Sequence, residues 1–188
     1  MDTDTELVRR HLEGDEVASQ TLIERYQDMV YSLAYRMLGD GEEARDASQE
    51  VFLNALDSLP GFRGECAFST WLYRIAANGC IARSRWRKRR RATEVPANDL
   101  DRETPGLSDD SPSSLDLVEL QERNSQLYQA VAELAEEYRM AIVLHYFQGL
   151  AYEEVAQALS VPTGTVKVRL FRAKRLLKRK LAARRIES

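Results

Sequence analysis

The segment Thr163–Lys180, TGTVKVRLFRAKRLLKRK, carries eight Lys or Arg and no acid. Val166, Leu170, Ala173 and Leu177 recur at three- and four-residue steps, which predicts a helix with one apolar stripe. Lys167, Val168, Phe171, Arg172 and Arg175 fall off that stripe, so they are free to face a partner. Arg suits the hydrogen-bonding edge of guanine, and an apolar side chain suits the methyl group of thymine. Thr163, Gly164 and Thr165 open the helix, where free N–H groups and the helix dipole favour a phosphate. Exposed helices usually mix their signs. A basic face without one compensating Glu therefore points to duplex DNA rather than to a merely solvated helix.

A second cationic block has a different chemistry. Arg83, Arg85, Arg87, Lys88, Arg89, Arg90 and Arg91 follow Trp71 and Tyr73 and surround Trp86, with Phe62 and Phe68 just upstream. Aromatic rings beside a basic stripe suit single-stranded nucleic acid, because bases stack on the rings while the backbone follows the charge. The alternative for Trp71 and Phe68 is an ordinary place in the core.

Catalytic and metal chemistry finds no comparable footing. His11 and His145 lie on helical patterns without a neighbouring Cys or Ser, and neither HExxH nor a phosphate loop occurs. The pairs Glu42–Glu43, Glu136–Glu137 and Glu153–Glu154 suit helix N-termini, where they complement the dipole. Cys66 and Cys80 are too few for a disulfide framework or a metal quartet. The reading is of a protein that is not an enzyme, with no cofactor, no metal and no small-molecule substrate. No apolar run approaches the ~18 residues of a membrane span, and no secretory signal opens the chain, so a cytoplasmic protein is expected.

The elements that must hold these surfaces are all helical. Leu22, Tyr26, Val30, Leu33 and Met37 mark one helix that Gly39 ends. Ala44, Ala47, Val51, Phe52, Ala55 and Leu59 mark a second, before Pro60. Phe62–Phe68 breaks the period as a loop does, and Ser69 or Thr70 is placed to cap the next helix, which carries Trp71, Leu72, Ile75 and Ala76. Further on, Leu127, Val131 and Leu134 predict a helix, and Ala141–Phe147 another that ends at Gly149. Tyr152–Leu159, the turn Ser160–Pro162 and the basic helix then form a helix-turn-helix.

Charge divides the chain. Residues 1–60 hold 5 bases and 14 acids, a net of −9, and residues 61–92 hold 9 and 1, a net of +8. Residues 93–122 hold 1 and 9, a net of −8, and residues 123–188 hold 12 and 6, a net of +6. Residues 93–122 also contain Pro96, Pro105 and Pro112 and show no period, the composition of a flexible acidic linker. The expected architecture is all-α: a helical domain over 1–92, the linker over 93–122, and a helix-turn-helix domain over 123–188.

Three segments carry a family likeness. FRGECAFSTWLYRIAAN (62–78) with the basic run after it resembles the promoter-melting region of the extracytoplasmic-function sigma factors of the sigma-70 family. GDGEEARDASQEVFLNAL (39–56) is similar to their polymerase-binding helix, and residues 138–177 resemble their helix-turn-helix domain. The resemblance implies a dissociable subunit that directs bacterial RNA polymerase core to promoters. It implies capture of the downstream (−10) element as single strand by Phe62, Arg63, Phe68, Ser69, Trp71, Arg74, Asn78 and Arg83. It implies reading of the upstream (−35) duplex by Thr165, Lys167, Val168, Arg169, Phe171, Arg172 and Arg175. Core contact falls on Asp46, Gln49, Glu50, Leu53 and Asn54, against the clamp and flap regions of the large subunits. The family is often held by an anti-sigma factor, frequently membrane-tethered, so such an antagonist is a further implied partner. Four positions depart from the family pattern: Ala151 at a helix start, Ser160 in place of a turn glycine, Ala135 in place of a proline, and Gly79 inside a helix. A stand-alone regulator of duplex DNA is the competing reading, and the aromatic-basic block at 62–91 argues against it.

Overall fold

A computed structural model describes residues 3–93 and 126–186. Among them every regular element is a helix. In the N-terminal half, α1 (Asp4–Leu12), α2 (Glu16–Leu38), α3 (Gly41–Ser58), a 3₁₀ turn (Leu59–Gly61) and α4 (Phe68–Thr93) follow one another. In the C-terminal half, a helical stretch over 126–132 (α5) precedes α6 (Glu136–Ile142), which continues as a π-helical turn over Val143–Phe147. Then come α7 (Tyr152–Leu159) and α8 (Thr163–Ile186). The acidic segment expected as a linker lies outside the described residues, apart from Thr93 at the end of α4.

Local chemistry sets the helix ends. Asp15 and Asp40 accept N–H bonds from the first turns of α2 and α3, and Gly39 closes α2 in the left-handed conformation at φ 71°. α4 departs from expectation at its start. It begins at Phe68, so Ser69 and Thr70 sit inside its first turn rather than before it, and Thr70 is buried. Ala151 has no side-chain oxygen to cap α7, but its own N–H donates to Glu154 Oε2 at 2.8 Å, which preserves half of a capping box. Ser160 ends α7 at φ 52°, a left-handed residue that a glycine would adopt without strain.

The apolar stripes read from the sequence form the core. Leu22, Val30, Leu33 and Met37 of α2 meet Ala47, Val51 and Ala55 of α3 and Leu72 and Ala76 of α4. In the other half Val155 and Ala156 of α7 and Val166, Leu170 and Ala173 of α8 pack with Met140 and Leu144.

The two halves also meet. α4 lies along α7, and the end of α2 touches α6 and the π turn. Tyr73 donates its hydroxyl proton to Gln148 Oε1 at 3.0 Å, and Arg74 Nε donates to the Gln157 carbonyl at 3.2 Å. Lys88 reaches Glu136 at 2.6 Å, and the Arg36 guanidinium stacks 4.4 Å from the Phe147 ring centre. Arg139, only 5% exposed, joins three chain segments. Its guanidinium donates to Met37 O at 2.6 Å, to Leu134 O at 3.0 Å and to Ala132 O. Met37 lies in the last turn of α2 and Ala132 ends α5, so these are carbonyls that their own helices leave unpaired. A cation between two helix C-termini is favoured by both dipoles, which accounts for a buried charge without a bonded carboxylate.

Candidate nucleic-acid and polymerase interfaces

α8 presents the expected duplex-reading row. Its apolar stripe faces inward, which leaves Lys167, Val168, Phe171, Arg172 and Arg175 exposed on the outer side. Phe171 is 62% exposed, an unusual solvation of a large ring, and Arg175 stacks 5.9 Å from its centre. Thr165 is half-buried in the first turns. Arg169 differs from its neighbours: it turns back to Glu137 on α6 at 3.5 Å. One cation outside the sequence-derived set, Lys174, borders the row, and both it and Lys167 lie against tyrosine rings. Lys174 pairs with Tyr146, whose hydroxyl raises the lysine's pKa, and Lys167 lies 6.0 Å from the Tyr152 ring centre. Tyr146 and Tyr152 escaped the sequence reading because neither lies on the basic helix.

The single-strand candidates divide by burial. Phe62, Phe68 and Trp71 form one ring cluster, with centroids 5.2 to 5.7 Å apart. Phe68 is 6% exposed and belongs to the core, whereas Phe62 and Trp71 are half-buried and keep an open side. Arg63 in the loop and Asn78 on α4 are exposed, and Ser69 is half-buried in the first turn of α4. Trp71, Arg74 and Asn78 share one side of α4 by their spacing, but Arg74 is engaged with α7.

The basic run after them is not one open stripe. Arg83 pairs with Asp46 at 3.2 Å and Glu50 at 3.4 Å. Arg87 donates to Glu43 and to Leu38 O, both at 2.8 Å. Lys88 holds Glu136 and depresses its carboxyl pKa. Composition showed the positive block but not the acids on α3 and α6 that fold against it.

The polymerase-binding candidates Asp46, Gln49, Glu50, Leu53 and Asn54 are all exposed on α3, and Leu53 is 65% exposed. Beside them runs a groove of about 280 Å³ between α2 and α3, lined by Ile23, Tyr31, Arg45, Ser48, Gln49 and Phe52. Tyr31 was missed because it lies off the α2 stripe, although an exposed aromatic next to that stripe was a legible signal.

Of the thiols, Cys80 is buried, and burial pushes its pKa up to about 12, while Cys66 sits half-buried in the loop. Among the described residues no group of three or more His, Cys, Asp or Glu is placed to hold a metal ion. Among them, too, no helix is long and apolar enough to cross a membrane.

Comparison with known proteins agrees with this geometry. Residues 22–92 match the family model for sigma-70 region 2, and residues 124–177 that for sigma-70 region 4. The chain is 37% identical over 185 residues to the RNA polymerase sigma-H factor of Pseudomonas aeruginosa, covering 95% of this chain and 93% of that protein. It is 36% identical to the ECF RNA polymerase sigma-E factor of Escherichia coli, covering 95% and 94%. It is 34% identical to the ECF sigma factor SigW of Bacillus subtilis, covering 93% and 94%. The sigma factor RpoE in its complex with the anti-sigma factor NepR from Bartonella quintana shares the fold, with TM-score 0.66 and 22% identity over 87% of this chain and 96% of that one. So does CnrH in complex with the cytosolic domain of CnrY, with TM-score 0.66 and 24% identity over 97% and 99%. Two matched regions in order, on two helical halves that expose a basic helix and an aromatic loop, identify the chain as a member of the extracytoplasmic-function RNA polymerase sigma factors, dissociable subunits that direct the polymerase core to specific promoters and help to open them.

Proposed function

We propose a division of labour among the surfaces described. The row Lys167, Val168, Phe171, Arg172 and Arg175, with Thr165 and Arg169 toward the phosphates, reads the −35 element as duplex. Phe62, Arg63, Phe68, Ser69, Trp71, Arg74, Asn78 and Arg83 serve the −10 element as single strand, with Phe68 supporting from beneath. Asp46, Gln49, Glu50, Leu53 and Asn54 dock on the polymerase clamp, and the C-terminal half meets the flap. Residues 1–92 and 123–188 act as separate domains joined by 93–122. The protein works in the cytoplasm without catalysis, and an anti-sigma factor holds it inactive.

The observation that carries this reading is the exposed row on α8, where Phe171 and Val168 stand in solvent among unopposed cations. Neighbouring apolar side chains in solvent, rimmed by charge, mark an interaction surface. The test is transcription by core polymerase plus this protein alone. Arg172→Ala should lose discrimination at −35 by about 1–3 kcal/mol, the worth of a bidentate base contact. Lys178→Ala should weaken binding evenly across sequences. Equal effects of both on every promoter count against base reading by Arg172. Duplex binding without any transcription by added core would favour the stand-alone regulator.

A further inference from the structure

α1 precedes the residues matched by the region 2 family model, yet it is tied to the loop proposed to capture single-stranded DNA. Leu7 and Val8 are buried and seat α1 on α2 and on the 3₁₀ turn that leads into that loop. From this seat Asp4 reaches into α2. Its Oδ2 accepts from the Tyr26 hydroxyl at 2.5 Å, and its Oδ1 accepts from Arg25 Nη1 at 2.5 Å. The Tyr26 ring lies 5.3 Å from the Phe68 ring, which contacts both Phe62 and Trp71. An unbroken chain of contacts thus runs from a carboxylate on α1 to the half-open rings of the loop.

The chemistry of this chain suits positioning more than bulk stability. The ring of Tyr26 already packs against the core, and removing its hydroxyl takes away no apolar contact. What the hydroxyl adds is a fixed direction, because a hydrogen bond to a carboxylate sets where the ring edge lies. Burial and the neighbouring carboxylate both raise the Tyr26 pKa, so the hydroxyl keeps the proton that it donates. The loop itself has backbone anchors at its ends, Phe62 N–H to Leu59 O and Trp71 N–H to Ala67 O. Gly64 between them is left-handed at φ 69°. Rings therefore set the height of Phe62 and Trp71 above the core. Stacking of a base needs both at a fixed height, since a misplacement of an ångström forfeits much of the contact.

We propose that Asp4 and Tyr26 are positioning residues for single-strand capture, with α1 as a brace that holds Phe68 and, through it, Phe62 and Trp71. This rests on the assignment of the loop to the −10 strand. The experiment uses holoenzyme assembled from core polymerase and the full chain. The probe is a fluorescent non-template oligonucleotide spanning the −10 region of a promoter that this holoenzyme transcribes. Tyr26→Phe should weaken binding of the probe about fivefold, the loss of one hydrogen bond, and Asp4→Ala, which also releases Arg25, should weaken it at least as much. The double variant should be no weaker than Asp4→Ala alone. Asp4→Asn, which keeps an acceptor oxygen, should recover most of the affinity. Competition for core should remain at the wild-type level throughout, and Arg9→Ala, an exposed change on the same helix, should alter nothing. Wild-type probe affinity in both single variants overturns the proposal. So do strictly additive losses, or losses of probe and core binding in the same proportion, which assign the chain of contacts to general stability. Trp71→Ala separates the two levels: if it too leaves probe binding intact, the capture site itself is misassigned, and if it alone weakens binding, only the brace fails.

Discussion

Replacing Arg139 by Met keeps a long, flexible stem and removes only the guanidinium. The wild-type group satisfies three carbonyls, those of Met37, Leu134 and Ala132, in a site 5% exposed. Hydrogen bonds from a charged donor contribute about 1.5–3 kcal/mol each, so the gross loss is of the order of 5–9 kcal/mol. Two offsets apply. Burial penalises the charged form, as the lowered pKa of Arg139 shows, and removing the charge returns that cost. Helix ends can also relax to reach water. A net destabilisation of about 2–4 kcal/mol follows, within the range for breaking a buried polar network. Urea unfolding followed by far-ultraviolet circular dichroism reads it directly. With a slope near 2 kcal/mol/M the midpoint should fall by about 1–2 M. Arg139→Lys should lie between, because an ammonium lacks the planar fork that reaches the Met37 carbonyl and the Ala132 and Leu134 carbonyls together. A change of Arg139→Met below about 0.5 kcal/mol, the scatter of ordinary surface substitutions, refutes the claim that this group joins the segments.

Four other outcomes are expected. Gly79→Ala should stabilise the protein by about 0.5–1 kcal/mol, because Gly79 is helical and a Cβ there meets Val51 only at an ordinary 3.6 Å; a lowered melting temperature would show that α4 needs the gap. With a thiol-specific reagent at pH 8, Cys66 should react and Cys80 should react only on unfolding, since burial holds its pKa near 12 and starves it of thiolate; two fast thiols in the native protein would contradict this. Neutralising both Asp46 and Glu50 as Asn and Gln should release Arg83, weakening core binding while strengthening low-salt binding of single strands by the free protein, by no more than about fivefold for so exposed a pair; no change in either assay would remove the link. The Glu136 carboxyl is held below its usual range chiefly by the hydrogen bond from Lys88, so its contribution is present above the unfolded carboxylate pKa and lost as pH falls through the lowered folded value; Glu136→Gln should therefore shift the urea midpoint at pH 7 but not in strong acid.

Periodicity made the helices legible. The stripe Leu22–Met37 with Gly39 after it marks the end of α2, and Tyr152–Leu159 with its turn appears as read. The exposure of the row on α8 was legible for the same reason, since a stripe that is buried defines the side that is not. Legibility failed where the cause lay across the chain. The start of α4 at Phe68 follows from the burial of that ring against Tyr26, which outweighs a cap by Ser69. Arg83, Arg87 and Lys88 read as one positive run, but their partners stand on helices 33 to 48 residues away in sequence. The π turn after α6 leaves no periodic signature over five residues, so that segment reads as plain helix. Arg139 looked like any helix-borne arginine because its acceptors are backbone carbonyls, and these carry no sequence signature.

The packing of α7 along α4 has a quantitative consequence for competition among initiation factors. On the proposed assignment, Arg74 and its neighbours meet the −10 strand only after the Gln157 contact is given up. The chain then carries its own competitor for that site. A competitor of this kind multiplies the apparent affinity by the fraction of molecules already parted. If about one molecule in a hundred is parted, binding to core and promoter is about a hundredfold weaker than the surfaces alone would give. Substitutions that loosen the contact would lower the concentration at which the factor displaces its rivals, and those that tighten it would raise that concentration, without altering a residue that touches DNA. On that assignment the interface between the two halves would act as a threshold, one that selection could tune separately from promoter sequence.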